Sequence, residues 1–416
     1  MPYNAELIAV GTELLLGSIA NTDAQEISRQ LALLGINVYY HTVVGDNPQR
    51  LRAAVEIARG RADLIITTGG LGPTCDDLTK NVLAECFGRK LVFDEESARR
   101  IRGYFEKTGR VMTENNLQQA MLPEGCTILH NDWGTAPGCA WEQDGQTVIM
   151  LPGPPRECSA MLRHRVVPYL AGKGEGEICS RTLCLFGIGE SAMESELRQQ
   201  MLEMTNPTLA PYAKEGTTEL RITAKAPTEE ECMALIAPVE ERLRQKFGAL
   251  VYGVDVKDLQ HAACALLAEK KLTLATAESC TGGMIAQRIT DIPGVSAVYK
   301  GGVVCYTNEV KRSAVDVPEE LLEEYGAVSE PVCRALAENI RVKLGADLGL
   351  SVTGVAGPDP DDRGNPVGLI YVGLSDGTHT WVRKLTLSTG RGRNRNLACH
   401  HGFDMVRRYL TGLKIE

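Results

Sequence analysis

Along residues 1–90, short apolar runs alternate with stretches in which apolar positions recur every three or four residues. "AELIAVG" (5–11), "INVYYHTVV" (36–44) and "DLIITTGG" (63–70) read as strands. "NTDAQEISRQLALLG" (21–35) reads as a helix capped by Asn21 or Thr22 and stopped by Gly35. "NPQRLRAAVEIARG" (47–60) has Asn47 as cap and Pro48 at the first helical position, and "DDLTKNVLAECFG" (76–88) gives a third helix. The alternation predicts a mostly parallel sheet covered by helices. A further strand, "QTVIMLPGPP" (146–155), and the helical pattern "RECSAMLRHRVVPYL" (156–170) complete a first α/β domain, 1–170.

The pattern changes at "AGKGEGE" (171–177), which reads as a linker. Residues 178–253 then give a small α+β module. Its strands are "CSRTLCLFGIG", "TLAPYA" and "ELRITAKAP", and its helices "ESAMESELRQQM" and "TEEECMALIAPVEERLRQKFG". From 254 to 416 α and β alternate again, ending in an antiparallel hairpin, "VGLIYVGLSD" and "THTWVRKLTL", around Asp376-Gly377.

Composition narrows the class. With 416 residues the chain has room for two or three domains, and 42 glycines suit many tight turns and close backbone approaches. A net charge of −9 argues against a large nucleic-acid footprint. Thirteen cysteines without a CxxC pair argue against a disulfide framework or zinc ribbon and for a reducing, cytoplasmic setting. No basic leader and no apolar run near ~20 residues is present, so neither a signal peptide nor a membrane span is expected.

Two stretches carry candidate chemistry. In "TTGGLGPTCDDLT" (67–79), Gly69, Gly70 and Gly72 follow a buried strand and precede a helix, so backbone N–H groups can meet an anion. Asp76 and Asp77 would repel a phosphate unless a divalent metal lies between, or they serve only to cap the helix. Asp46 is a further ligand candidate or a cap for the helix at Pro48. Glu157 meets a metal or complements a helix dipole. Glu13 and Asn21 lie in the loop after the first strand, and the three prolines of "LPGPPRE" form a stiff wall.

In "AESCTGG" (277–283), Ser279 stands between a strand and a helical pattern. It is either a helix cap or a nucleophile with the N–H groups of Cys280, Thr281, Gly282 and Gly283 as oxyanion donors. "YTNEVK" (306–311) supplies Lys311, a base for a serine if burial lowers its pKa. The Gly/Pro loop "SVTGVAGPDPDDRGNPVG" (351–368) suits a substrate cover, and Arg391, Arg393 and Arg395 of "TGRGRNRN" suit a phosphate.

Taken together, "GTELLLGSIANTD", "TTGGLGPTxDDLT", "LPGPPRE", "AESCTGG", "YxNExK", "TGxAGP" and "RxxNR" resemble the CinA (competence/damage-inducible) family over essentially the whole chain. The resemblance implies an N-terminal molybdopterin-binding-like domain, a KH-like module at 171–253 and a C-terminal nicotinamide-nucleotide amidase domain at 254–416. It implies metal-dependent (Mg, Mn or Co) ADP-ribose hydrolysis in the first domain, with Asp77 catalytic, Thr74 and the glycines on the ligand, and Asp46, Asp76, Asp77 and Glu157 as metal ligands. In the last domain it implies deamidation of nicotinamide mononucleotide without a cofactor. Ser279 matches the nucleophile and Lys311 the base. Tyr306, Thr353, Gly354, Ala356 and Gly357 lie near nicotinamide or ribose, Glu278 adjoins the substrate, and Arg391 and Arg395 hold the phosphate. A homodimer is expected on the same ground. Asn365 stands where the family often has lysine, and "GIGES" (187–191) departs from the GXXG of KH domains, so direct nucleic-acid binding is not expected. A non-catalytic regulator of DNA uptake and a molybdopterin carrier remain the competing classes.

Overall fold

In a computed structural model, residues 3–171, 173 and 176–415 are described; part of the 171–177 linker lies outside them. The chain divides into two compact units, Met1–Cys179 with Thr223–Ile236, and Ser180–Ile222 with Ala237–Glu416.

The first unit holds a six-stranded sheet in the order Asn37–Val44, Asn4–Val10, Leu64–Thr68, Gln146–Leu151, Gly138–Gln143, Thr127–Leu129. The first four strands are parallel and the last two antiparallel. Leu64, Ile65 and Ile66 are all fully buried, because helices cover both faces. Ile65 packs into one core while Leu64 and Ile66 pack into the other. That is why this strand reads as an unbroken apolar run instead of an alternating one. Asn21 and Asn47 accept from the N–H groups of Ala24 and Arg50, so each caps its helix as expected. Residues 91–143, to which the hydrophobic pattern assigns no element, hold a helix Glu95–Thr108 capped by Asp94, a 3-10 helix Glu114–Ala120 and short strands.

The middle residues form a four-stranded sheet ordered Thr208–Ala213, Thr218–Ala226, Glu177–Leu185, Val251–Val254. The helices Glu190–Glu203 and Glu229–Phe247 occur where their patterns predict them; the strand Val251–Val254 adds to the expectation.

The C-terminal sheet has five strands in the order Tyr299–Val304, Leu274–Glu278, Leu348–Gly354, Leu369–Ser375, Thr380–Thr386. The first three are parallel, and the predicted hairpin adds the antiparallel pair. Asp376 closes its turn by accepting from the N–H groups of Thr378 and His379. The helix Arg391–Leu410 packs on this sheet and ends in a buried cluster, in which Asp404 pairs with Arg383, Arg407 and Arg408. Among the described residues no helix is long and apolar enough to cross a membrane.

Candidate functional site

The strand Leu274–Glu278 is flanked on both sides by parallel neighbours, and Ser279 follows its carboxyl end, where open α/β sheets place their ligands. The Ser279 N–H donates to Val352 O at 2.9 Å, which locks the turn to the next strand. Gly282 and Gly283 then take left-handed backbone (φ 60° and 89°), a region that costs non-glycine residues. They delay the helix to Met284–Thr290 with Gly283 as its N-cap.

This removes the cap reading from the two alternatives for Ser279. The start is too far along for its hydroxyl, and Glu278 reaches it instead, with its two carboxylate oxygens accepting from Ile285 N and Ala286 N at 3.0 and 2.8 Å. Glu278 is 1% exposed and fully engaged, so it positions the turn and does not meet substrate. The Gly282 N–H is also occupied, donating to Ser279 O.

Freed from capping, Ser279 Oγ lies 3.0 Å from Lys311 Nζ. Lys311 projects from the helix Asn308–Val315, capped by Thr307, and is 1% exposed. Its Nζ also lies 2.9 Å from Cys305 O and 3.4 Å from Tyr306 O. Burial lowers its pKa, with the Cys305 and Cys280 thiols acting weakly the other way. Carbonyl oxygens only accept. Once deprotonated, the amine would keep its two protons for Cys305 O and Tyr306 O and turn its lone pair to the Ser279 hydroxyl.

The pair opens on a cavity of about 520 Å³ that Cys280, Tyr306, Thr353, Gly354, Ala356 and Arg391 also line. Thr353 Oγ1 donates to Ala327 O at 2.6 Å, and Asn394 holds Ala356 O at 3.1 Å, so the cavity wall is fixed from behind. Arg391 donates to Gly357 O at 2.6 Å and reaches the Tyr306 hydroxyl at 3.3 Å. Four expected contacts fall elsewhere. Thr281, Gly282, Gly283 and Gly357 do not line the cavity, because the first three turn into the helix start and Gly357 is covered by Arg391. Arg395 is also corrected: its guanidinium donates to Cys280 O at 3.0 Å and Thr281 O at 2.7 Å, gripping the turn instead of facing a phosphate.

Sequence reasoning missed Arg312 and Arg363 in the lining. Arg363 anchors the Gly/Pro loop to the carbonyls of Leu322 and Glu324 (3.2 and 3.1 Å) and of Glu323. Within the same loop Asn365 bonds to Asp361, a local structural role.

The other candidate stretch follows the carboxyl end of Leu64–Thr68. At Gly69 (φ 90°) a Cβ would sit 2.1 Å from Val10 O, and at Gly70 (φ 67°) 2.1 Å from Thr79 Oγ1; only glycine fits. The helix begins at Thr79 with Leu78 as N-cap, so Asp76 and Asp77 do not cap it. Asp77 instead closes the loop, accepting from Thr74 N and Thr74 Oγ1 at 2.8 and 2.6 Å. Asp46 does the same for Thr12 N and Oγ1, at 2.9 and 2.7 Å. Glu157 accepts from Asn131 Nδ2 at 2.6 Å, and burial raises its pKa despite that bond.

Glu13, Asp46, Asp76, Asp77 and Glu157 all line one cavity of about 570 Å³, with Gly69, Gly70, Gly72 and Thr74. Asn21 does not; its side chain is committed to its helix. The "LPGPP" prolines Pro152, Pro154 and Pro155 form one wall, and no lysine, arginine or histidine lines the cavity among the described residues. Nor does any group of three or more His, Cys, Asp and Glu come together to hold an ion among them. The expected ligand set of Asp46, Asp76, Asp77 and Glu157 is thus not gathered, because three of the four bond to separate neighbours. The carboxylate oxygens still suit a hard cation that takes most of its ligands from phosphate and water.

Comparison with known proteins assigns the domains that hold these cavities. Residues 6–172 match a probable molybdopterin binding domain, 180–253 the damage-inducible protein CinA KH domain, and 256–410 the CinA C-terminal domain. CinA-like proteins of Dictyoglomus turgidum and Dictyoglomus thermophilum are each 49% identical over 408 residues, covering 98% of this chain and 99% of theirs. A crystal structure of CinA, of unknown function, from Thermoplasma acidophilum is 37% identical, with a TM-score of 0.36 over 39% of this chain and 95% of that one. From the motifs of both cavities to the order of its domains, the chain belongs to the CinA family.

Proposed function

We propose that the C-terminal cavity deamidates nicotinamide mononucleotide to nicotinic acid mononucleotide and ammonia. One observation carries this: a buried Lys311 whose pKa burial lowers and whose Nζ lies 3.0 Å from Ser279 Oγ. That is a nucleophile and its base, assembled without a third group.

Ser279 Oγ attacks the carboxamide carbon as its proton passes to Lys311 Nζ. The backbone N–H of Cys280, next in the chain, meets the developing oxyanion at the cavity surface. The C–N bond then breaks, and Lys311 returns the proton to the departing amide nitrogen, which leaves as ammonia. Water attacks the acyl ester with Lys311 again as base, restoring the serine hydroxyl and releasing the acid. Arg391 supplies the fixed positive charge for the 5′-phosphate. The test is ammonia release from nicotinamide mononucleotide by wild type and Ser279→Ala. Equal rates would remove Ser279 from the reaction, and no release by folded wild type would remove the reaction itself.

The N-terminal cavity supports a second reading, metal-dependent hydrolysis of ADP-ribose. The favouring observation is a glycine loop able to approach a phosphate, faced by carboxylates with no side-chain cation. Asp76 and Asp77 would hold Mg, Mn or Co together with ligand phosphates, and the ion would supply the missing positive charge. Release of AMP from ADP-ribose, with and without chelator, tests it; chelator-insensitive release contradicts the metal.

A regulator that binds DNA would have to do so with an acidic chain, and a DNA mobility shift measures that directly. We further propose a cytoplasmic homodimer, measurable by light scattering.

A further inference from the structure

We propose that Gln119 selects the base of the ligand in the N-terminal cavity, its side-chain amide pairing with the exocyclic amine and adjacent ring nitrogen of adenine. This rests on the reading of that cavity as a nucleotide site.

Gln119 lines the cavity at 2% exposure, and its Oε1 is buried with no hydrogen-bond partner. Buried carbonyl oxygens are almost always paired, and leaving one unpaired is unfavourable. An N–H or O–H on a ligand would remove that cost.

The position of Gln119 is set by its surroundings. It stands on the 3-10 helix Glu114–Ala120, closed at its start by Thr113, whose N–H and Oγ1 both donate to Asn116 Oδ1, at 3.0 and 2.9 Å. Asn115 Nδ2 donates to Pro73 O at 3.2 Å and ties the helix to the glycine loop. Lys80, 4% exposed, donates to Gln118 O at 2.8 Å, next to the residue in question. A residue whose helix is tied at three points and whose side-chain oxygen is left unpaired is preorganised for something absent from the chain.

The chemistry of the tip narrows what that is. The carboxylates around the cavity are acceptors only, suited to hydroxyls and to a phosphate-bound cation. A planar amide differs, because it offers an acceptor and a donor side by side. That pattern matches adenine, whose amine donates and whose neighbouring ring nitrogen accepts. Hypoxanthine would set its oxygen against Oε1, acceptor to acceptor. Ile19, Leu71 and Pro152 give the cavity apolar surface for a flat ring.

The experiment is calorimetric titration of the full chain, with Mg present, using the methylene-bridged, uncleavable analogue of ADP-ribose and its hypoxanthine counterpart. Wild type is expected to bind the adenine ligand roughly 10- to 100-fold more tightly. Gln119→Met should bind the two equally. It should also melt at the same or a higher temperature without ligand, since the unpaired oxygen is gone. Equal binding of both ligands by wild type overturns the assignment while leaving the nucleotide site standing. So does an unchanged preference in Gln119→Met, or a lower melting temperature with both ligands weakened alike, which marks a structural role. Binding of neither ligand by wild type overturns the nucleotide reading and the assignment with it.

Discussion

The two cavities are built alike and equipped differently. Each follows the carboxyl end of a parallel strand, at a turn whose glycines take left-handed backbone, and their volumes are close, about 520 and 570 Å³. Around Ser279 the reactive groups are protein groups, buried and already touching. Around Gly69–Gly72 the carboxylates serve their own loops, and among the described residues no lining side chain supplies the positive charge that a phosphate needs. A glycine turn therefore fixes where a ligand can approach, and the residues beyond it fix the chemistry. On the proposed reading one site is complete in the chain, and the other would borrow a reagent.

The sharpest way to break this contrast is Ser279→Ala. Ammonia release should fall by roughly 10⁴- to 10⁶-fold, as for other nucleophile deletions, while AMP release from ADP-ribose stays at the wild-type rate. Loss of both would mean that the cavities are not independent. Lys311→Met should cost about 10²- to 10⁴-fold, the usual contribution of a general base.

The same lysine gives a pH signature. It works only as the free amine, so kcat/KM should rise with pH through the Lys311 pKa and level off above it. Burial places that rise below the 10.5 of an ordinary lysine. A profile still climbing through pH 10.5, measured by ammonia release, would contradict a depressed Lys311.

For the borrowed reagent, Asp77→Ala should lower AMP release on the order of 100-fold, the scale of removing one electrostatic stabiliser. Chelator should abolish that activity and leave ammonia release intact. The smallest effects sharpen the C-terminal half. Arg391→Ala should raise KM for nicotinamide mononucleotide about tenfold, the equivalent of ~1.4 kcal/mol. Arg395→Ala should instead lower kcat about tenfold with KM nearly unchanged, as expected when a turn is displaced and not a ligand contact.

Much of this was legible in the sequence because it is local. Strand and helix periods, the Asn21 and Asn47 caps and the Asp376-Gly377 hairpin depend on neighbours a few residues apart. The glycines at 69 and 70 were legible as a strand-to-helix turn, although the clash that excludes a side chain at Gly69 is with the distant Val10 O. What failed depends on distance. Glu278 and Ser279 are adjacent, and only the exact start of the helix decides which of them caps it. Arg391 and Arg395 stand one helical turn apart, yet one lines the cavity and the other grips Cys280 and Thr281. Gln119 lies in a segment without a clear period, and an unpaired oxygen leaves no mark in a sequence. The carboxylates of the first unit do share one cavity, but their hydrogen bonds to Thr12, Thr74 and Asn131 could not be read from residue type.

Arg395 holds the Ser279 turn from 115 residues downstream. During synthesis, Ser279 and Lys311 leave the ribosome well before the helix Arg391–Leu410 that braces them. A nascent chain thus carries the reacting pair without its brace, and deamidation competence should appear abruptly when that helix docks.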